Sequence, residues 1–201
     1  MDDRYFKKII GEKCYLSPMS LDDAAQYAEW LNETAVGLPL LQISEVLNLE
    51  KEKDLLKNLS TGYNFAIVDK DKDKLIGSVG LFHVDHIHGR AEMGIMIGDR
   101  NFWNRGYGTE ATQLLLDYSF NALNLCHIRL GVFSFNPRAL RCYEKVGFKV
   151  VGKFTEYIQI AGTRHDMILM EILAKDFESV YLKRALENVM EDKPSSNLEL
   201  L

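Results

Sequence analysis

Trp103-Asn104-Arg105-Gly106-Tyr107-Gly108-Thr109-Glu110-Ala111 lies between an apolar run ending near Ile97 and an amphipathic run opening near Thr109. Two glycines let the backbone approach a ligand closely, and the free N–H groups of a helix start point at whatever is bound. The stretch therefore reads as a strand-to-helix turn suited to a pyrophosphate, although glycines spaced this way can also serve a tight turn alone. Written as Gly106-x-Gly108-x-x-Ala111 it formally matches the dinucleotide fingerprint, and three features oppose that reading. Gly98 through Arg105 separate the strand from the first glycine, His127 to Phe135 contains no acid to end the next strand, and the strands before the loop read as antiparallel.

Upstream of the loop, Tyr63 to Val68 and Leu75 to Val84 are β-rich runs joined by the charge-alternating turn Asp69 to Lys74. His86-Ile87-His88-Gly89 then turns into Ala91 to Ile97, which predicts an antiparallel meander. Further back, a short extended segment ends at Tyr15-Leu16, and Ser20 caps a helix with apolar residues at Leu21, Ala24, Ala25, Ala28 and Leu31. A second helix is expected from Ser44 to about Leu59. Downstream, Ala111, Leu114, Leu115, Tyr118 and Ala122 mark a long helix and His127 to Ser134 a strand. Asn136 caps the next helix, with Pro137 at its first position and Gly147 just past its end. A hairpin about Ala161-Gly162 joins Phe148–Ile160 to Asp166–Ile172, and a last helix spans Phe177 to Met190 before the polar tail Lys193 to Asn197. The order predicts a single α/β domain with a mixed, mostly antiparallel sheet flanked by helices over residues 1–176, followed by a C-terminal helix and tail over 177–201.

The 201 residues are 47% hydrophobic and 26% charged, with 14 Gly and 4 Pro, the composition of a folded chain rather than a disordered one. Twenty-four bases against 29 acids leave a net charge of −5, so no chain-wide positive field is available for nucleic acid or anionic lipid. No apolar stretch is long enough to span a membrane, and no apolar core of a leader follows Met1. Cys14, Cys126 and Cys142 show neither paired nor zinc-ligand spacing, which predicts reduced thiols, a cytoplasmic setting and no metal. His83, His86 and His88 fall around one hairpin without a fourth ligand and read as surface residues.

These residues resemble the GCN5-related N-acetyltransferases (GNAT), and more closely the branch that holds ribosomal-protein N-terminal acetyltransferases and bacterial polyamine and antibiotic acetyltransferases. The family's loop, Gln/Arg-x-x-Gly-x-Gly/Ala, is matched by Trp103 to Gly108, with Trp103 where Gln or Arg is usual. Leu75-Ile76-Gly77 is similar to the family's third strand and Glu92 to Ile97 to its fourth. Asn136-x-x-Ala139-x-x-x-Tyr143-x-Lys145-x-Gly147-Phe148 is similar to its second cofactor motif, and His165-Asp166-Met167 to the start of its last strand. The resemblance covers about Lys13 to Phe177. It implies the GNAT fold and acetyl-CoA as co-substrate, held by Met96, Ile97, Trp103, Asn104, Arg105, Gly106, Tyr107, Gly108, Thr109, Asn136 and Lys145.

Acetyl transfer to an amine needs a neutral amine, a donor for the oxyanion and an acid for the departing thiolate. By resemblance, Tyr143 is the acid and Glu92 the base, acting through water, with a strand N–H polarising the acetyl carbonyl. Both also have plain readings, Tyr143 as a core residue and Glu92 as a solvated strand end. The acceptor implied is a protein N-terminal α-amine, with a polyamine or aminoglycoside as the alternative, and the loops near Leu38 to Ser44 shape its pocket. A non-catalytic acetyl-CoA sensor is the rival from a different class. Homodimerisation could use the last helix or the strand hairpin.

Overall fold

The computed structural model describes residues 4–191, so the Lys193 to Asn197 tail lies outside them. Among the described residues eight strands form one sheet in the order β1-β2-β3-β4-β5-β6-β8-β7. They are β1 (Ile9–Ile10), β2 (Cys14–Pro18), β3 (Asn64–Asp69), β4 (Lys74–Asp85), β5 (Arg90–Ile97), β6 (His127–Phe133), β7 (Lys149–Ile160) and β8 (Thr163–Leu173). The neighbours are antiparallel except at β5 and β6. There a parallel register runs through Arg90↔His127, Ala91↔Ile128 and Glu92↔Arg129, and then stops. Beyond it β5 stays on β4 as far as Ile97, while β6 stays on β8 as far as Phe133. The sheet opens between them.

Alternation along the strands supplies a core on each face. Ile67 joins Ile76, Val79, Met93, Ile128 and Leu130 against α4 (Tyr107–Asn121) and α5 (Pro137–Val146). Its neighbours Ala66 and Val68 join Tyr15, Leu75 and Met96 against α1 (Ala24–Asn32), α2 (Thr34–Gly37) and α3 (Leu49–Leu59). Leu114, Leu115 and Leu116 are fully buried, each contributing about 1.5–3 kcal/mol of apolar transfer. α6 (Leu182–Glu191) packs along α4.

The helix signals near the opening are local and act as expected. Asn136 accepts the Ala139 N–H at 3.2 Å, Pro137 opens α5, and Gly147 closes it at φ +110°. Two helix starts move by five residues. The second helix begins at Leu49 rather than near Ser44, because Asn48 is the residue that caps it, by accepting the Lys51 N–H at 2.9 Å, while Val46 stands 87% exposed. The last helix begins at Leu182 rather than Phe177, since its start is fixed from a distance. The buried Asp117 carboxylate of α4 accepts the N–H groups of Val180, Tyr181 and Leu182 and the Ser179 hydroxyl, while Phe177 and Tyr181 pack on the core. No described helix is long and apolar enough to cross a membrane.

Candidate active site

The gap between β5 and β6 is an open cleft of about 370 Å³. Its walls are the end of β5, the loop before α4, the end of β6 with the inner face of α5, and Ala35, Val36, Pro39 and Leu40 from the connection after α1. Met96, Ile97, Trp103, Asn104, Gly106, Gly108, Thr109, Asn136, Tyr143 and Lys145 meet in it, residues far apart in the chain.

Gly106 is the residue before α4 and has φ +89°, a conformation that costs an L side chain roughly 1–2 kcal/mol. No side chain caps α4, so the first N–H groups of a 15-residue helix remain available as donors to an anion. Gly108 has a different reason to be glycine. A Cβ there would lie 3.7 Å from Cys142 Sγ and 3.8 Å from Ile97 Cγ1, ordinary contact distances, so the protein itself would admit a Cβ. The space it keeps clear is the cleft. The loop is braced from behind by Glu110, whose Oε1 accepts the N–H groups of Lys13 at 2.8 Å and Cys14 at 3.0 Å. Uncapped donors beside two glycines that put no side chain into the cleft fit a diphosphate and the thin chain leading from it.

Tyr143 is 7% exposed and lines the cleft, its ring held edge-on against Phe148 at 5.7 Å. Its hydroxyl has no hydrogen-bond partner among the described residues. Burial pushes the phenol well above its ordinary range, so it stays protonated wherever amines begin to lose their protons.

Three residues stand apart from the cleft lining. Glu92 sits where β5 and β6 are still paired, ion-paired to Arg129 and 3.2 Å from His83 Nδ1. The Arg105 guanidinium lies over the rings of Phe102 and Tyr107. Tyr107 is turned to the β3–β4 turn, where its hydroxyl donates to Asp69 at 2.6 Å. The two loop side chains brace the loop while its backbone faces the cleft. The hairpin histidines have separate surroundings, His86 meeting the Tyr63 hydroxyl at 3.2 Å.

The family model for the acetyltransferase (GNAT) domain matches residues 13–149. The chain belongs to the GNAT acetyltransferases. This acetyltransferase is 27% identical over 175 residues to p20 of Bacillus licheniformis, an uncharacterized N-acetyltransferase, covering 84% of this chain and 97% of that one. It is 37% identical over 121 residues to the spermidine N(1)-acetyltransferase of Vibrio cholerae, covering 60% of this chain and 66% of the relative. The crystal structure of a Vibrio cholerae spermidine N-acetyltransferase with CoA and spermine superposes with a TM-score of 0.75 at 26% identity, over 83% of this chain and 98% of that one. The chain is therefore an enzyme, an acyltransferase of the N-acetyltransferase kind.

The structure adds residues to the acetyltransferase's cleft that the motifs did not single out. Arg138 and Arg141 line it together with Lys145, at positions i, i+3 and i+7 of α5. That spacing was present in the sequence as a basic stripe on one helix face. Gly131, Val132 and Phe133 also line it, and nothing in the pattern of β6 marked them, because which strands part is a property of pairing rather than of one strand.

Proposed function

We propose that this acetyltransferase moves the acetyl group of acetyl-CoA directly to a primary amine, and that the acceptor is the N-terminal α-amine of a polypeptide. The neutral amine attacks the thioester carbon, a C–N bond forms, and the C–S bond breaks through a tetrahedral oxyanion. A β5 backbone N–H stabilises the oxyanion, Tyr143 gives its proton to the leaving sulfur, and the proton shed by the nitrogen passes to solvent. Glu92, already tied to Arg129, would receive it only through intervening water. The phenol regains its proton from solvent before the next turnover.

The observation that carries the acceptor class is the charge of the cleft. Among the described residues its lining holds Arg138, Arg141 and Lys145 and no aspartate or glutamate; we assign the apolar residues Val36, Pro39, Leu40 and Met96 of that lining to the acceptor. A polycation needs carboxylates to offset its desolvation, whereas an α-amine enters neutral with a chain behind it. Spermidine is the second reading, favoured by the similarity to the Vibrio cholerae spermidine enzyme. Thiol release from acetyl-CoA with a panel of short peptides, spermidine and an aminoglycoside separates them. Peptide kcat/KM above that of spermidine by about tenfold or more, 1.4 kcal/mol, is the expected result, and the reverse ranking transfers the assignment to polyamines.

A further inference from the structure

Among the described residues, Arg4, Arg90, Arg100, Arg129 and Arg164 each pair with a carboxylate. Arg105, Arg138 and Arg141 do not, and of the two that line the cleft Arg138 is half-buried where Arg141 is exposed. The Arg138 guanidinium carbon lies over the Trp103 ring, 3.5 Å from the centroid, a close cation–π contact. Trp103 is fixed in turn: its Nε1 donates to the Ile97 carbonyl at 2.7 Å, and Arg100, anchored by Glu33 at 2.7 Å, approaches the ring at 5.5 Å. The stack joins the two banks of the opening, the β5 end on one side and the first turn of α5 on the other. Burial, and then Arg100, pull the Arg138 guanidinium below its ordinary pKa. A half-enclosed cation with a neighbouring cation and no anion is costly unless an anion arrives. The uncapped start of α4 lines the same cleft.

We propose that Arg138 is a phosphate-binding residue for the co-substrate and that Trp103 is its positioning residue, so that the tryptophan standing where Gln or Arg is usual contributes to binding by holding an arginine from the opposite bank. This rests on the acetyl-CoA reading and deepens it. The phosphate is either the diphosphate or the 3′-phosphate of CoA; both offer the oxygens a planar guanidinium grips in pairs.

The test is CoA affinity by calorimetry, together with KM for acetyl-CoA and for S-acetylpantetheine, a thioester without phosphates. Arg138→Gln should weaken CoA about 10- to 100-fold, the range for a lost charge-assisted contact, and leave the pantetheine thioester's KM within twofold. Dephospho-CoA assigns the contact: a loss that vanishes with it identifies the 3′-phosphate, and a loss that persists identifies the diphosphate. Trp103→Phe, which keeps an aromatic face, should hold CoA affinity within about threefold, and Trp103→Leu should lose roughly fivefold or more. The melting temperature of each variant separates binding from folding. Unchanged CoA affinity in a folded Arg138→Gln overturns the proposal, as does an equal loss for the phosphate-free thioester, which would mean that Arg138 acts through the shape of the cleft. Equal CoA affinity in Trp103→Leu and the wild type removes the positioning role. A wild-type protein that fails to bind CoA at all overturns the acetyl-CoA reading itself, a different failure.

Discussion

Two helices begin at the same cleft and end their first turns in opposite ways. α5 carries its own cap: Asn136 accepts from Ala139, and Pro137 removes one donor. α4 starts after a left-handed glycine with no side-chain cap, and Gly106, Gly108 and Thr109 line the cleft. A cap contributes about 1 kcal/mol, and α4 forgoes it at a start that lines the cleft, where under the proposed reading the co-substrate's anion completes it. Under the proposed reading α5 supplies side chains to the chemistry and α4 supplies backbone.

The contrast can be broken residue by residue. The largest effect should come from the side chain that α5 presents. Tyr143→Phe keeps the ring on Phe148 and should lower kcat about 10²-fold or more, with CoA affinity changed only a few-fold; wild-type turnover across pH 6 to 9 would return Tyr143 to the core. Next comes the backbone that α4 presents. Gly106→Val, at φ +89°, should raise the Kd for CoA roughly tenfold or more, and an unchanged isotherm would remove the anion from this loop. Asn136→Ala strikes the self-capped helix, and its expected signature is thermal, a fall of about 2–4 °C, with a smaller loss of CoA affinity than at Gly106.

A test away from both helix starts sharpens the comparison by showing what an unmet buried group does elsewhere. Glu52 of α3 is 1% exposed, one of its oxygens has no partner, and burial raises its carboxyl to about 7 from the ordinary 4.5. The folded state keeps this proton where the unfolded chain releases it, so stability should decline as pH rises from 4.5 to 7 and then level off. Urea midpoints of Glu52→Gln at pH 5 and 8 should show that slope flattened; an unaltered slope would place the pH dependence elsewhere.

What was legible in the chain was whatever a few neighbouring residues decide. Asn136-Pro137 and Gly147 mark α5 at both ends, Ala161-Gly162, with φ +48° and +80°, makes the β7–β8 turn, and Gly106 and Gly108 mark the loop. Distant partners hid the rest. Asp117 of α4 sets where α6 begins, Arg129 of β6 claims the Glu92 carboxylate, and Asp69 draws the Tyr107 side chain off the cleft. The opening itself depends on a parallel pairing that stops after Glu92↔Arg129, which neither strand declares alone. Arg138 was visible only as one residue of a basic stripe, because its meaning comes from Trp103, 35 positions back and across the cleft.

Gly108 decides the central claim, that the start of α4 is kept open for the co-substrate. A Cβ there would meet Cys142 Sγ at 3.7 Å, an ordinary contact that displaces nothing, so Gly108→Val, with its methyls directed into the cleft, should fold and melt within about 2 °C of the wild type. The measurement is the shift in melting temperature on adding CoA, with NAD as control, since a ligand that binds the native state raises it. The wild type should shift upward with CoA and not with NAD, and Gly108→Val should shift with neither. A CoA shift in Gly108→Val equal to that of the wild type, or a wild-type shift with NAD and none with CoA, would contradict the account.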